Sequence, residues 1–422
     1  MREWEKMFLA LAAAFCLLLA ACGSREEPPG DYRVVVGTDL HYMAPSLTDH
    51  GEIFWHLMEA GDGKVTEYCE EITDAFLEET LALRPEALIL TGDLSFNGER
   101  ESHLALAQKL AALEEAGVPV LVLPGNHDVY RGSCYSYIGD TAERVPSVTA
   151  EEFREIYAAF GFDEAIARDD DSLSYTAQLN DSTRVLMLDA NTIHDYCGLS
   201  EKTLAWIDAQ LGAAEEAGQG VLAACHQNLY QHSMFKAGYI LHEAEQLHAL
   251  LEKHHVPLLL SGHMHIQHIH TQGEVTEIAT SALGMGACQY GVLESKRGTL
   301  RYEARRVDVS AWAEARGTAD ENLLRFAEYA QQRMERQNRV QAQTQLQDRG
   351  FSPEEIGPLT DYACALNSAY FAGDLSVIPA LDPDGSLLLT WEKSGTFFGA
   401  YFATLEKEIG VDYTHWEKER GA

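Results

Sequence analysis

Five short apolar runs, each followed by side chains that can bind metals, constrain the fold of this chain more than any other feature. The runs span residues 33–38, 87–91, 118–123, 221–225 and 256–260. Their length is typical of buried strands. The polar residues that follow them are Asp39, His41, Asp93, Asn126, His127, Asp128, His226, His263 and His265. Because loops at the carboxyl ends of strands converge in an α/β fold, we expect these side chains to form one site.

The predicted site offers carboxylate oxygens, imidazole nitrogens and one amide oxygen, without a thiolate. This mixture suits Mn, Fe, Zn or Co better than a structural zinc site. It also contains more ligands than one ion requires, so we predict two ions that share a carboxylate, an arrangement that suits phosphoryl displacement. Gly262 is expected to form a tight turn that brings the backbone close to whatever the last two histidines bind.

Helical patterns alternate with the apolar runs and predict a layered α/β fold. The expected helices span about 66–83, 101–116, 201–217 and 242–253. Three alternating segments, at 274–281, 288–294 and 299–307, are predicted to be antiparallel strands that complete a second sheet. The insert at 128–179 is expected to shape the substrate pocket, and the chain beyond residue 308 is predicted to be a helical appendage.

The N-terminal residues have the layout of an exported lipoprotein. An apolar run at 7–21 follows two basic residues and ends in Leu-Ala-Ala-Cys, which resembles a bacterial lipobox with Cys22 as the lipidated residue. We predict a signal peptide at 1–22, a linker at 23–31, a catalytic domain at 32–308 and a helical region at 309–422. A simple cleaved signal or a short anchor helix is the alternative.

Composition limits the partners. The formal net charge of −35 argues against a surface that tracks nucleic acid, because such surfaces are basic.

Beyond Cys22 the cysteines are Cys69, Cys134, Cys197, Cys225, Cys288 and Cys364. Their scattered spacing does not define disulfides, and Cys69 and Cys225 are predicted to be buried free thiols.

In chain order, the motifs Asp-x-His, Gly-Asp, Gly-Asn-His-Asp, a single His and Gly-His-x-His resemble those of the calcineurin-like metallophosphoesterase superfamily. The likeness extends from residue 33 to about 307. The Gly-Asp-Leu-Ser and Gly-Asn-His-Asp blocks are most similar to the bacterial cyclic-nucleotide phosphodiesterase-like branch, which is heterogeneous in substrate. The resemblance implies a four-layer α/β/β/α sandwich with two metal ions, such as Mn, Fe or Zn.

The resemblance also implies a role for each residue of the site. One ion would be held by Asp39, His41 and His265 and the other by Asn126, His226 and His263, with Asp93 bridging them. His127 would contact the phosphate or protonate the leaving oxygen, and Asp128 would orient its imidazole. A hydroxide held between the ions would attack phosphorus in line.

These features predict a metal-dependent phosphoesterase, most simply a phosphodiesterase, anchored through Cys22 on the extracytoplasmic face of the cell membrane. Sequence alone does not separate this activity from that of a phosphomonoesterase of the same fold. A lipid-anchored binding protein that has lost activity is the alternative from another class. The intact pair of His127 and Asp128 argues against it.

Overall fold

The computed structural model describes residues 30–61, 63–192 and 197–419. The predicted signal peptide, the lipidation site at Cys22 and most of the 23–31 linker lie outside these residues. Within the described ranges, no helix combines the length and apolar character needed to cross a membrane. The six cysteines beyond Cys22 are all buried free thiols, which confirms the expectation for Cys69 and Cys225.

Strands and helices follow one another through the described residues between 32 and 279. The strands are β1 (Tyr32–Gly37), β2 (Ala87–Leu90), β3 (Val120–Val122), β4 (Tyr135–Ile138), β5 (Thr141–Arg144), β6 (Ala167–Arg168), β7 (Tyr175–Asn180), β8 (Thr183–Leu188), β9 (Gly220–Cys225), β10 (Leu258–Ser261), β11 (His268–Gln272), β12 (Val275–Ala279), β13 (Gln289–Lys296), β14 (Thr299–Arg306) and β15 (His415–Glu419). The helices are α1 (Glu52–Ala60), α2 (Cys69–Leu83), α3 (Arg100–Glu115), α4 (Ala150–Ile156), α5 (Glu201–Glu216), α6 (Ala244–Lys253), α7 (Val309–Arg316), α8 (Glu321–Leu324), α9 (Phe326–Asp348), α10 (Pro353–Ala372), α11 (Ile378–Leu381), α12 (Ser386–Lys393) and α13 (Phe397–Leu405). Helices α2, α3, α5 and α6 confirm the four predicted between the apolar runs.

The strands form two large sheets. One has the order β15-β14-β13-β1-β2-β3 and the other the order β11-β12-β10-β9-β8-β7-β6. Strands β1, β2 and β3 are parallel to one another, and so are β8, β9, β10 and β12. The carboxyl ends of the strands that carry the predicted ligands therefore lie together at one end of each sheet.

Side chains of alternate residues on β8 pack into different cores, because successive residues of a strand face opposite sides of the sheet. Val185 and Met187 share a core with the first sheet, whereas Leu186 and Leu188 pack in the core that contains residues of α5 and α6. Helices α2 and α3 add Phe76 and Leu110 to the core of the first sheet. The layers thus run helix, sheet, sheet, helix, which confirms the predicted fold class.

The three segments after His265 do not all complete the second sheet. Strand β12 joins that sheet, but β13 and β14 belong to the first sheet, where β13 pairs antiparallel with β1. The connection crosses between the sheets at residues 280–288, where the Leu283 amide donates to the Thr38 carbonyl. Alternation alone predicts a strand but does not identify the sheet edge that it joins, so this part of the prediction was wrong.

The region after β14 is helical, as predicted, and has its own apolar core around Leu366, Trp391 and Phe402. It also contains a strand that the sequence pattern does not predict. Strand β15 pairs antiparallel with β14, with Trp416 opposite Tyr302, and forms the edge of the first sheet. Its sequence, His-Trp-Glu-Lys-Glu, is mostly charged, which is common on sheet edges but gives little strand signal.

Candidate metal centre

The predicted ligands lie in loops that are tied to one another by the backbone. The Asp39 amide donates to the Gly92 carbonyl and the His41 amide to the Asp93 carbonyl, each at 3.0 Å. The two sheets are joined at the same place, because the His263 amide donates to Asp39 Oδ2 at 3.0 Å. The loops that follow β1, β2 and β10 therefore form one connected frame.

Five of the predicted site residues have a left-handed backbone, which is uncommon for residues other than glycine. They are Asp39, His41, Asp93, His263 and His265, with φ between 45° and 68°. Such conformations cost energy and persist where the surrounding structure enforces them, most often at functional sites. Here the backbone hydrogen bonds between the loops enforce them, and the result is that several side chains turn toward one point.

The first group of ligands consists of Asp39, His41, Asp93 and His265, whose candidate ligand atoms lie within 4.8 Å of one another. His265 Nε2 lies 3.1 Å from His41 Nε2 and 3.3 Å from Asp39 Oδ1. His41 Nε2 lies 3.7 Å from Asp93 Oδ2. Two ring nitrogens and two carboxylate oxygens therefore face a common centre.

The second group consists of Asp93, His226 and His263. His226 Nε2 lies 3.3 Å from Asp93 Oδ1 and 3.1 Å from Asn126 Oδ1, which adds the predicted amide oxygen. Asp93 belongs to both groups and presents a different carboxylate oxygen to each. The structure thus brings together all seven predicted ligands in the predicted division, with Asp93 between the two groups.

Hydrogen bonds to the outer nitrogens fix which ring nitrogen of two histidines faces the site. His226 Nδ1 lies 2.8 Å from the Thr91 carbonyl and donates to it, which leaves Nε2 as the inner atom. His263 Nε2 lies 2.9 Å from the Gly238 carbonyl, which leaves Nδ1. Metal-binding histidines commonly donate their other nitrogen to a carbonyl in this way.

The residues present fit a pair of metal ions. Ligands about 2.1 Å from one ion lie roughly 3 to 4 Å apart at common coordination angles, and the five pairs of atoms given above lie 3.1 to 3.7 Å apart. Asp39 Oδ1 is buried without a hydrogen-bond partner, although the other oxygen of this carboxylate accepts from Thr38 and His263. A buried carboxylate oxygen left unpaired is costly unless a cation satisfies it.

The electrostatics of the site follow from burial and from the two carboxylates. Burial alone would raise the pKa of Asp93, but the charges of His226 and His127 outweigh it and hold the pKa well below its usual range. Burial opposes the protonation of His226, yet Asp93 raises its pKa to about 9. Burial, reinforced by His226, lowers the pKa of His263 to about 4, so this ring is neutral and able to bind a metal at neutral pH.

The His127 ring lies beside the first group, with its centroid 4.9 Å from that of His41. His127 Nδ1 lies 2.9 Å from Asn97 Oδ1 and 3.1 Å from the Phe96 carbonyl, so Nδ1 is the donor and Nε2 is left for substrate. The prediction that Asp128 orients this ring was wrong. Asn97 and the Phe96 carbonyl occupy that position.

The Asp128 carboxylate instead organises the backbone behind the ligands. It accepts hydrogen bonds from the amides of Leu94, Ser95 and Gly125 at 2.8 to 3.1 Å and from Ser95 Oγ at 2.9 Å. These bonds tie the loop that follows β2 to the loop that follows β3. The family resemblance implied a contact between Asp128 and the His127 ring, but the hydrogen bonds of this carboxylate instead position the loops that carry Asp93 and Asn126.

Asn97→Ala is expected to lower kcat for a phosphoester about ten-fold while both metals remain bound, because the variant loses a hydrogen bond that orients His127 but no ligand. Steady-state kinetics and metal analysis of the same preparation measure the two effects. The matched control is Asn322→Ala, which removes an exposed amide bonded to Tyr68. A parental kcat in Asn97→Ala would contradict this role.

Position 262 requires a glycine because the two sheets approach each other closely there. A Cβ at this position would overlap Thr38 Oγ1 and crowd Asp39 Oδ2. Gly262→Ala is therefore expected to separate His263 from Asp39 and to weaken Mn²⁺ affinity at least about ten-fold, as measured by titration calorimetry. Gly357→Ala, in α10 with open space around it, is the control and should bind Mn²⁺ as the parent does.

A buried carboxylate that no sequence motif marks supports two of the loops that carry candidate ligands. Glu277, on β12, accepts hydrogen bonds from Ser261 Oγ at 2.6 Å and from the amides of Leu229 and Tyr230 at 2.9 and 2.7 Å. Ser261 precedes the last two histidines, and Leu229 follows His226. Glu277 therefore holds together the loops after β9 and β10.

The Glu277 carboxylate also connects the loops after β9 and β10 to the C-terminal region. Glu277 Oε2 lies 2.8 Å from His232 Nε2, and His232 Nδ1 lies 2.9 Å from His268 Nδ1. His268 Nε2 lies 3.5 Å from Glu408, and its ring centroid lies 4.1 Å from that of Tyr413 with the planes tilted by 34°. Burial alone would raise the pKa of Glu277, but His232 and the hydrogen bonds hold it below its ordinary value.

Known proteins resemble this chain at the level of the fold and of the family. The solved structures include a dimetal phosphatase from Danio rerio, with 14% identity and a TM-score of 0.50, which matches 66% of this chain and 97% of its own. A purple acid phosphatase from yellow lupin seeds, with 15% identity and a TM-score of 0.43, matches 66% of this chain and 52% of its own. No curated protein sequence matches the chain.

The sequence also matches two protein families. Residues 308–403 match the family described as the C-terminal domain of cyclic nucleotide phosphodiesterase. Residues 32–267, more than half of the chain, match the family described as calcineurin-like phosphoesterase and include all the candidate ligands of both groups. The chain therefore belongs to the calcineurin-like phosphoesterase family.

Proposed function

We propose that this chain is a metal-dependent phosphodiesterase. The observation that carries the proposal is the position of Asp93, whose two carboxylate oxygens belong to different groups of metal ligands. Calcineurin-like phosphoesterases use two divalent metal ions, which activate water and neutralise charge on the phosphoryl oxygens when bound. Asp39, His41 and His265 would hold one ion, Asn126, His226 and His263 the other, and Asp93 both.

The residues outside the metal shell support the same reaction class. His127 donates through Nδ1 to Asn97, so its Nε2 faces the space beside His41, where a phosphate or a leaving oxygen would lie. Asp128 fixes the loop of Asp93 relative to the loop of Asn126. A catalytically silent binding protein would not require a histidine held in this orientation, which favours an enzyme.

Charge favours a diester over a monoester as the substrate. A phosphomonoester carries about 1.5 to 2 negative charges at pH 7, whereas a diester carries one. A chain with a formal net charge of −35 repels the dianion more strongly. The match of residues 308–403 to a phosphodiesterase C-terminal domain supports the same choice.

The assay that tests the proposal uses the full chain in detergent, loaded with Mn²⁺ in one aliquot and chelated in another. Bis-p-nitrophenyl phosphate and p-nitrophenyl phosphate are compared side by side. We expect metal-dependent turnover of the diester. Turnover of the monoester alone would identify a phosphatase, and silence on both with two ions bound would favour the binding protein.

The location of the enzyme is a separate part of the proposal. The apolar run at 7–21 and the lipobox-like sequence that ends at Cys22 support a lipid anchor on the extracytoplasmic face of the membrane. Labelling with a radioactive fatty acid in a bacterial host should mark the parent, whereas Cys22→Ser should carry no label. An unlabelled parent would contradict the anchor without affecting the assignment of activity.

A further inference from the structure

A strip of four aromatic rings extends from the metal centre to the surface of the C-terminal region. This aromatic strip consists of Tyr239, Phe235, Tyr401 and Phe397. The ring centroid of Tyr239 lies 4.9 Å from that of His263 and 5.8 Å from that of Phe235. Phe235 lies 6.3 Å from Tyr401, and Tyr401 lies 6.4 Å from Phe397 with the two ring planes 10° apart. Two rings come from the loop between β9 and α6 and two from α13.

The strip is held in a fixed position relative to the metal ligands. The Asn228 amide donates to the Tyr239 carbonyl at 3.0 Å, and the neighbouring Gly238 carbonyl accepts from His263 Nε2 at 2.9 Å. At the other side of the strip, the Tyr401 hydroxyl donates to Asn367 Oδ1 at 3.2 Å. Both halves of the strip are therefore anchored by hydrogen bonds.

Two rings of the aromatic strip are exposed to solvent, and one of them lies on α13, which other residues hold in place. Phe397 is 53% exposed and Phe235 is 38% exposed. On the same helix, Phe398 and Phe402 are buried in the C-terminal core, so α13 is anchored without Phe397. Tyr401, between these two rings, is buried. Phe235 contacts the half-buried Tyr239 beside His263, and an exposed aromatic ring next to a reaction centre indicates a surface that a ligand covers.

We propose that the aromatic strip binds a planar aromatic ring carried by one ester group of the substrate. This inference rests on the proposed phosphodiesterase activity and adds the class of substrate. The scissile phosphate would lie at the metal centre, and the ring would stack on Tyr239 and Phe235, with Phe397 beyond them. Stacking on aromatic side chains tolerates any flat ring, because each has a π-face.

A planar ring fits the strip better than a lipid surface does. Only two of its side chains are exposed, which is too little apolar area for stable attachment to a bilayer. The formal net charge of −35 also opposes approach to an anionic membrane. Contact between Tyr239 and the metal ligand His263 places the strip beside the reacting group of the substrate rather than at a remote surface.

The test compares p-nitrophenyl diesters that share a leaving group and differ in the second ester group: methyl, cyclohexyl, phenyl and dodecyl. For the parent, loaded with Mn²⁺, we expect kcat/KM for the phenyl ester to exceed that for the methyl ester about ten-fold. Cyclohexyl matches phenyl in size but is not flat, so it should gain much less. In the double variant Phe235→Ala/Phe397→Ala the phenyl preference should fall to within about two-fold.

The matched control is Leu389→Ala, which removes an exposed apolar side chain from α12 in the same region and should keep the parental preference. Equal rates for phenyl and methyl esters in the parent, or an unchanged preference in the double variant, would overturn the inference while leaving the phosphodiesterase assignment intact. A preference for dodecyl alone would overturn it in favour of a lipid. No turnover of any ester would instead refute the proposed activity.

Discussion

Asp93→Asn is expected to leave the fold intact, to reduce the metal content from two ions to at most one, and to lower diester turnover more than about 100-fold. Loss of a group that merely supports a ligand already costs about 10- to 100-fold, and Asp93 contributes an oxygen to both ligand groups. Asparagine tolerates the left-handed backbone that Asp93 adopts, with φ of 50°. The substitution therefore removes the charge without disturbing the loop.

Elemental analysis, circular dichroism and the diester assay together measure this outcome. Asp169→Asn is the matched control, because Asp169 is also a buried aspartate but bonds to Ser172 and Thr203 outside both ligand groups. The control should retain two ions and most of its activity. Two ions and parental turnover in Asp93→Asn would show that Asp93 is not the shared ligand.

Glu277→Gln is expected to lower the free energy of unfolding of the metal-free protein by about 3 kcal/mol at pH 7. The variant replaces a buried charged acceptor by a neutral carboxamide, whose NH2 group would face hydrogen-bond donors. The Leu229 and Tyr230 amides, Ser261 and His232 would lose part of their hydrogen bonding. Urea denaturation measures the change. Glu303→Gln, which disrupts an exposed ion pair with Arg305, should cost about 1 kcal/mol or less.

The same variant has a defined pH dependence. The folded pKa of Glu277 lies below the ordinary value of 4.5, so its stabilising contribution is complete above pH 4.5 and is lost as the pH falls through the lowered folded value. The stability difference between the parent and Glu277→Gln should therefore be constant near neutrality and narrow below pH 4.5. A difference that grew on acidification would contradict the paired, charged state of this carboxylate.

That the candidate metal ligands lie close together could be predicted from sequence, because each belongs to a loop that follows a strand and parallel strands bring their carboxyl ends to the same edge of a sheet. Asp39, Asp93 and His263 needed only the apolar runs before them. Residues that support the site only through tertiary contacts could not be predicted in this way. Asn97 reaches His127 across a loop, and Glu277 lies mid-strand in a segment that shows only alternation.

The missed strand β15 has the same explanation. A charged five-residue edge strand is stabilised by the partner that it meets, and that partner, β14, lies more than 100 residues earlier in the chain. The misassigned β13 and β14 also depend on the path taken after β12. Local pattern therefore predicted the apolar and alternating strands, whereas β15 and the pairing of β13 and β14 depend on the assembled sheet.

Strand β15 gives the C-terminal region two attachments to a single strand. The chain leaves the first sheet at the end of β14 and returns to pair with β14 itself, with Glu303 opposite His415 and Thr299 opposite Glu419. The helices between β14 and β15 are attached to this sheet edge at both ends. They are therefore held more firmly than a region joined by one linker. A protein shortened to residue 403, where the family match ends, would leave the β14 backbone groups that pair with β15 exposed and available to another chain, while β14 remained paired with β13.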